Sequence, residues 1–125
     1  GANTIGNSNV AIGKDAMKTN VAADKNVAVG LGALQAMTSA TTLDTYNTAV
    51  GFNAGLTVTS GVQNTILGGL AGDAMTTGSF NTALGFNSAG AMTIGLQNVA
   101  IGHGALSASV DGDSNTAVGF DSLKV

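Results

Sequence analysis

A single pentad, Asn-[Val/Thr]-[Ala/Ile]-[Val/Ile/Leu]-Gly, returns along the whole chain at a nearly fixed interval, and that interval limits what the chain can fold into. It begins at Asn9, Asn26, Asn47, Asn64, Asn81, Asn98 and Asn115, and it ends at Gly13, Gly30, Gly51, Gly68, Gly85, Gly102 and Gly119. Successive pentads start 17, 21, 17, 17, 17 and 17 residues apart. The one break is an insertion between Gly30 and Asn47, placed around Ser39 to Asp44. A small residue follows three positions after each pentad glycine (Ala16, Ala33, Ala54, Ala71, Ser88, Ala105, Ser122), and a second glycine often precedes the Asn by three (Gly6, Gly61, Gly78, Gly95, Gly112). Repetition at a fixed period marks a stack of like units, each burying its apolar side against its neighbours.

The unit is a β-coil. Helical repeats need about 33 residues or more and tolerate few glycines. Val and Ile within the pentads favour strand. Seventeen residues suit a coil of two short strands and two turns, with glycine supplying positive φ at corners. The expected fold is all-β, a parallel β-solenoid or β-roll of about seven coils. At a ladder spacing of ~4.8 Å, the stack would rise on the order of 35 Å.

Stacking puts equal positions above one another. The leading asparagines form a column whose amides can bond each other or the backbone of the next coil. Strand alternation sends positions two and four to one face and positions one, three and five to the other. Fourth positions (Ile12, Val29, Val50, Leu67, Leu84, Ile101, Val118) make an aliphatic seam. Third positions (Ala11, Ala28, Ala49, Ala83, Ala100, Ala117) make a flat alanine face broken by Ile66. No Asp or Lys falls inside a pentad, so both faces are expected to be buried: one in the coil's own core, the other, with alanine permitting close approach, against a second copy. Gly1 to Gly6 matches Gly90 to Gly95, and the last repeat reaches eleven residues at Val125. Residues 1–125 therefore read as one solenoid segment of a longer fibre.

Composition narrows function. Charged residues are 9% of the chain, against roughly 25% in an average protein. A net charge of −3, with four dispersed lysines, gives no basic footprint for nucleic acid or an anionic membrane. No apolar run approaches the ~18 residues of a spanning helix, so no membrane insertion is expected. Absence of cysteine removes thiolate chemistry. Scattered Asp residues offer no carboxylate pair for a depolymerase, and no Gly-Lys-Ser/Thr follows a pentad to make a phosphate loop. No catalytic residue, metal site or cofactor is expected.

Individual residues admit two readings each. His103, the single histidine, lacks ligand-type neighbours in sequence and reads as a surface side chain. Asp111-Gly112-Asp113 opens like a calcium loop, but Thr116 and Ser122 stand where that loop needs Gly and Glu. It reads as a solvated turn. Phe52, Phe86 and Phe120 recur every 34 residues, alternating with Gly69 and His103, and favour packing over an exposed glycan-binding row. Tyr46 and Phe80, each just before an Asn, pose the same choice. Thr38, Thr59, Thr76 and Thr93 align, but the pattern is too irregular for an ice-binding array and reads as a β-propensity column.

Two families share these motifs. Asn-Val-Ala-Ile-Gly, at Asn9 to Gly13 and Asn98 to Gly102, resembles the head repeats of trimeric autotransporter adhesins. Asn-Thr-Ala-Val-Gly-Phe-Asn-Ala at Asn47 to Ala54, and Asn-Thr-Ala-Leu-Gly-Phe-Asn-Ser at Asn81 to Ser88, are similar to repeats in bacteriophage tail-fibre proteins. The likeness covers essentially the whole chain. It implies a left-handed β-roll assembled as a homotrimer, joined to other fibre segments and presented to a host receptor or glycan. Its setting would be a virion tail fibre, or alternatively a bacterial cell surface. In either case the Asn and Gly columns carry the structure.

Overall fold

The computed structural model describes residues 5–38 and 43–124. Residues 1–4, part of the expected terminal match, and residues 39–42 of the expected insertion lie outside the described residues, as does Val125. The fold is an all-β parallel solenoid of about six turns, with no helix among the described residues.

Each pentad contributes a three-residue strand: β1 (Val10–Ile12), β3 (Val27–Val29), β5 (Thr48–Val50), β6 (Thr65–Leu67), β7 (Thr82–Leu84), β8 (Val99–Ile101) and β9 (Thr116–Val118). These stack as one seven-stranded parallel sheet in the order β1-β3-β5-β6-β7-β8-β9. Register follows the repeat residue for residue, as in Ala28↔Ala49 and Leu84↔Ile101, and it holds across the 21-residue interval. The insertion is accommodated by a second sheet of two short strands, β2 (Ala23–Asp24) and β4 (Leu43–Asp44).

A second strand in every coil, expected from the sequence, does not form; β2 and β4 are the exceptions. The backbone after each pentad still bonds coil to coil, as in Gly55 N–H to Ala71 O (2.9 Å) and Ala89 N–H to Ala105 O (2.8 Å). Alternate residues there are left-handed, however, for example Asn87 (φ 54°) and Ala89 (φ 51°). That alternation curls the chain instead of extending it. The residue before each Asn is left-handed too, from Lys25 (φ 60°) and Tyr46 (φ 52°) to Phe80 (φ 62°) and Gln97 (φ 59°). Such geometry costs roughly 1–2 kcal/mol per non-glycine residue. The bonds of the stack must offset that cost at every turn.

The alanine face is the core face in every coil but the first, where Ala11 is exposed. Ala28, Ala49, Ala83, Ala100 and Ala117 are buried against Leu34, Leu106, Met37, Val58, Met75 and Met92 from the rest of the coil. This decides the face assignment that the pentads left open: the wall opposite is built from long side chains, so the strand must present short ones. Ile66, the exception in the alanine column, stays fully buried because small residues face it. A Cβ on Gly55 would lie 3.0 Å from Ile66 Cδ1, and one on Gly72 3.6 Å from it. Other coils carry Leu34, Ala89 and Leu106 at the same place.

Positions two and four point outward, so the expectation that both pentad faces are buried fails within one chain. Val10, Ile12, Leu84 and Val118 are exposed, and Val29, Val50, Leu67 and Ile101 are half-buried. The aliphatic seam is an outer surface.

Candidate functional site

The asparagine column is the most regular polar feature of the molecule. Asn26, Asn47, Asn64, Asn81 and Asn98 are buried, while Asn9 and Asn115 are half-buried. In each, Oδ1 accepts the backbone N–H of the next Asn at 2.8–3.0 Å, from Asn9 to Asn26 through Asn98 to Asn115. The amide nitrogen bonds the preceding Asn Oδ1 in most steps, as from Asn64 to Asn47 at 3.1 Å. It also donates to a carbonyl fourteen residues on, as from Asn47 to Gly61 at 2.8 Å and from Asn81 to Gly95 at 2.8 Å. Sulfur adds to two steps, with Met75 Sδ 3.8 Å from Asn81 Nδ2 and Met92 Sδ 3.7 Å from Asn98 Nδ2. Each Asn is thus a rivet between coils. The pentad glycines hold the matching corner: Gly30, Gly51, Gly68 and Gly85 have φ between 130° and 140°. These ladder residues bond one coil to the next.

The aromatic residues are surface residues. Phe52, Phe86 and Phe120 are all more than half exposed, so the packing role expected for them fails within the single chain. They stand on the outer corner immediately after the pentad. Phe86, His103 and Phe120 instead stack on one another, with ring centroids 5.4 and 5.1 Å apart. Stacking turns the ring faces toward each other and the edges toward solvent. His103 is exposed, and its Nδ1 lies 3.9 Å from Asp121 Oδ1, an oxygen buried without a hydrogen-bond partner. Lys124 pairs with the other oxygen of Asp121 at 3.2 Å. The sequence placed His103 in this column but gave no sign that it is a ring in an aromatic stack.

The threonine column forms as aligned: Thr38, Thr59, Thr76 and Thr93 succeed one another through backbone bonds. Hydroxyls of Thr59, Thr76 and Thr93 donate to the next coil's carbonyls at 3.1–3.2 Å, so they serve the ladder. Asp113, in the calcium-like turn, accepts the Leu96 N–H at 2.7 Å. Ser79 and Asp24 do the same for Val62 and Asn7 one coil before. Among the described residues, no three His, Cys, Asp or Glu side chains gather where a metal ion could sit. No helix there is long and apolar enough to cross a membrane.

One constellation escaped the sequence. The insertion sets Asp44 beside Asp24 in register and brings Lys25, Asp44 and Tyr46 together. Lys25 Nζ lies 2.6 Å from Asp44 Oδ2 and 3.1 Å from the Tyr46 hydroxyl, which donates to the same Asp44 oxygen at 3.0 Å. The ammonium also sits 5.1 Å from the Tyr46 ring centroid. Asp44, and then the Tyr46 hydroxyl, raise the Lys25 ammonium above its usual range; Lys25, and then Tyr46, hold the Asp44 carboxyl below its own. Tyr46 and Gln63 line an open cavity of about 400 Å3 beside it. Reading at a strict 17-residue period hid the cluster, because Lys25 and Asp44 are 19 residues apart. Of the two aspartates, Asp24 accepts the Asn7 N–H, and Asp44 is held by Lys25 and Tyr46.

No protein-family model, curated protein or solved structure matches this chain.

Proposed function

We propose that the chain is a structural segment of a homotrimeric bacteriophage tail fibre, spacing and presenting the part that meets the host. The observation that carries this reading is the outer pentad face. Its fourth positions form an aliphatic column from Ile12 to Val118, beside second positions that are Val or Thr (Val10, Val27, Thr48, Thr65, Thr82, Val99, Thr116), and no ionisable side chain lies on it. An aliphatic column left at the surface of a slender coil calls for a partner, and a copy of the same chain presents a surface of matching spacing. The expected interface is therefore the aliphatic seam, not the alanine face, which the core already occupies. The repeat motifs at Asn47 to Ala54 and Asn81 to Ser88 favour the fibre setting. The copies at Asn9 and Asn98 favour the second reading, the head of a bacterial trimeric adhesin.

Sedimentation analysis of the purified chain is expected to give the mass of three copies, and a well-folded monomer at micromolar concentration overturns the assembly. Antibodies raised against the purified chain are expected to label fibres on phage particles. Labelling of the bacterial envelope in uninfected cells would transfer the assignment to the adhesin.

A further inference from the structure

We infer that the column of residues preceding the asparagines, from the Lys25–Asp44–Tyr46 cluster through Gln63, Phe80 and Gln97, is a binding strip for a neutral, linear oligosaccharide. This deepens the attachment reading above and rests on it for the biological setting, while the binding itself is a property of the chain. Three observations carry it.

The first is the composition of the strip. Tyr46, Gln63, Phe80 and Gln97 are all exposed and share the left-handed corner that turns them out of the coil. An aromatic ring therefore alternates with a planar amide on successive coils. Two coils separate the rings, ~9.6 Å at the ladder spacing. Rings offer apolar faces to the C–H faces of pyranoses, and amides supply both donor and acceptor for hydroxyls. In the other aromatic column, Phe86, His103 and Phe120 stack on one another, and Phe52 stands apart from them, so rings do not alternate with amides there.

The second is the anchored end. Lys25 lies over the Tyr46 ring from the preceding coil, and Tyr46 and Gln63 together line a shallow open depression. Asp44 uses Oδ2 for both of its bonds, leaving Oδ1 to accept a hydroxyl, and the ammonium retains a third proton to donate. The polar tips are already locked together, so a ligand need not order them.

The third is charge. Asp44 at 2.6 Å neutralises Lys25, and the chain carries a net charge of −3. Along the strip, an acidic polymer would find the one cation already paired, in an unfavourable field. A neutral sugar meets neither cost.

The test is saturation-transfer NMR and titration of the intact chain with neutral gluco-, galacto- and N-acetylgluco-oligosaccharides, with an oligouronate as comparator. Binding of at least one neutral oligomer is expected. Tyr46→Ala should weaken it about tenfold, the scale of one lost ring contact, with Tyr46→Phe intermediate. Phe80→Ala should weaken long oligomers and spare disaccharides, and Phe120→Ala should change nothing. Melting curves establish that each variant is folded, and Gln63→Ala replaces Tyr46→Ala should the latter fail to fold. Saturable binding of no neutral sugar, preference for the oligouronate, or equal losses in Tyr46→Ala and Phe120→Ala each overturn the inference. Sugar binding by a chain whose antibodies label neither phage nor envelope would instead reject the attachment reading and leave the strip standing.

Discussion

Asn64 Oδ1 accepts two hydrogen bonds from Asn81, one from the backbone N–H at 2.9 Å and one from Nδ2 at 3.2 Å. Asn81 passes the arrangement on, accepting the Asn98 N–H at 2.9 Å and donating to Gly95 O at 2.8 Å. Replacing Asn81 by Ala leaves the buried Asn98 N–H and the Gly95 carbonyl unpaired. Unpaired buried groups cost about 1–3 kcal/mol each, so Asn81→Ala should destabilise the chain by about 2–4 kcal/mol in denaturant titrations. Asn81→Asp should do no better at neutral pH: a carboxylate can still accept from Asn98 but cannot donate to Asn64 or Gly95. Unfolding midpoints close to wild type in both variants would mean the column is incidental to the stack.

Two glycines of the fourth coil and its neighbour separate backbone need from mere smallness. Gly85 has φ 130°, and a Cβ there would stand 2.6 Å from Gly102 O, a backbone atom of the next ladder rung. Gly69 has no positive φ, and its nearest neighbour would be Phe86 Cδ2 at 3.5 Å, an ordinary contact. Gly85→Ala should therefore cost more than the ~1 kcal/mol of simple glycine propensity, while Gly69→Ala should be within about 0.5 kcal/mol of wild type. Equal melting temperatures for the two would remove the special corner from the account.

Much of this architecture is written in the period. Recurrence of the pentad from Asn9 through Asn115, at 17 residues in every interval but one, dictates the parallel register, and the register in turn forces the Asn column. What alternation could not say is which pentad face is inside, since odd and even positions are both free of charge. The deciding partner lies outside the pentad. Met37, Val58, Met75 and Met92, seven residues after their glycines, form the opposite wall, and their bulk leaves room only for alanine. Small residues at Gly55 and Gly72 likewise explain Ile66 where the pentad alone made it an anomaly. The Lys25–Asp44–Tyr46 cluster was hidden for a different reason: it exists because the insertion breaks the period that made everything else legible.

Asp73 gives the stack a small pH dependence of known sign. Partial burial lifts its carboxyl above the usual carboxylate range, and N–H groups of Asp73 and Ala74 only partly counter this. A group whose pKa is higher folded than unfolded favours the fold most below its unfolded value, and that stability is lost as pH rises through the folded value. Asp73→Asn removes the ionisation. The variant should melt higher than wild type at neutral pH, by no more than about 0.5 kcal/mol in stability, and the two should converge in acid. A difference that grows toward low pH would reverse the sign and reject the burial argument.

Ile101 and Ala100 are adjacent in β8 and face opposite ways, so the same substitution at each asks two different questions. Ala100 is fully buried in the coil core. An aspartate there would place an unpaired charge among apolar side chains, a cost of several kcal/mol, and should prevent folding outright. Ile101 points outward, half-buried, in the aliphatic seam between Leu84 and Val118. In a lone chain Ile101→Asp would keep its charge in water and change stability by about 0.5 kcal/mol. In a trimer closed on the seam it would bring three carboxylates into an apolar interface, where each is desolvated and each repels the others. The expected result is a chain that retains its β circular dichroism but sediments as a monomer. Ile101→Val, which preserves the apolar surface, should remain trimeric. Trimers that survive Ile101→Asp would show that the copies meet through another surface, and the seam would need a different partner.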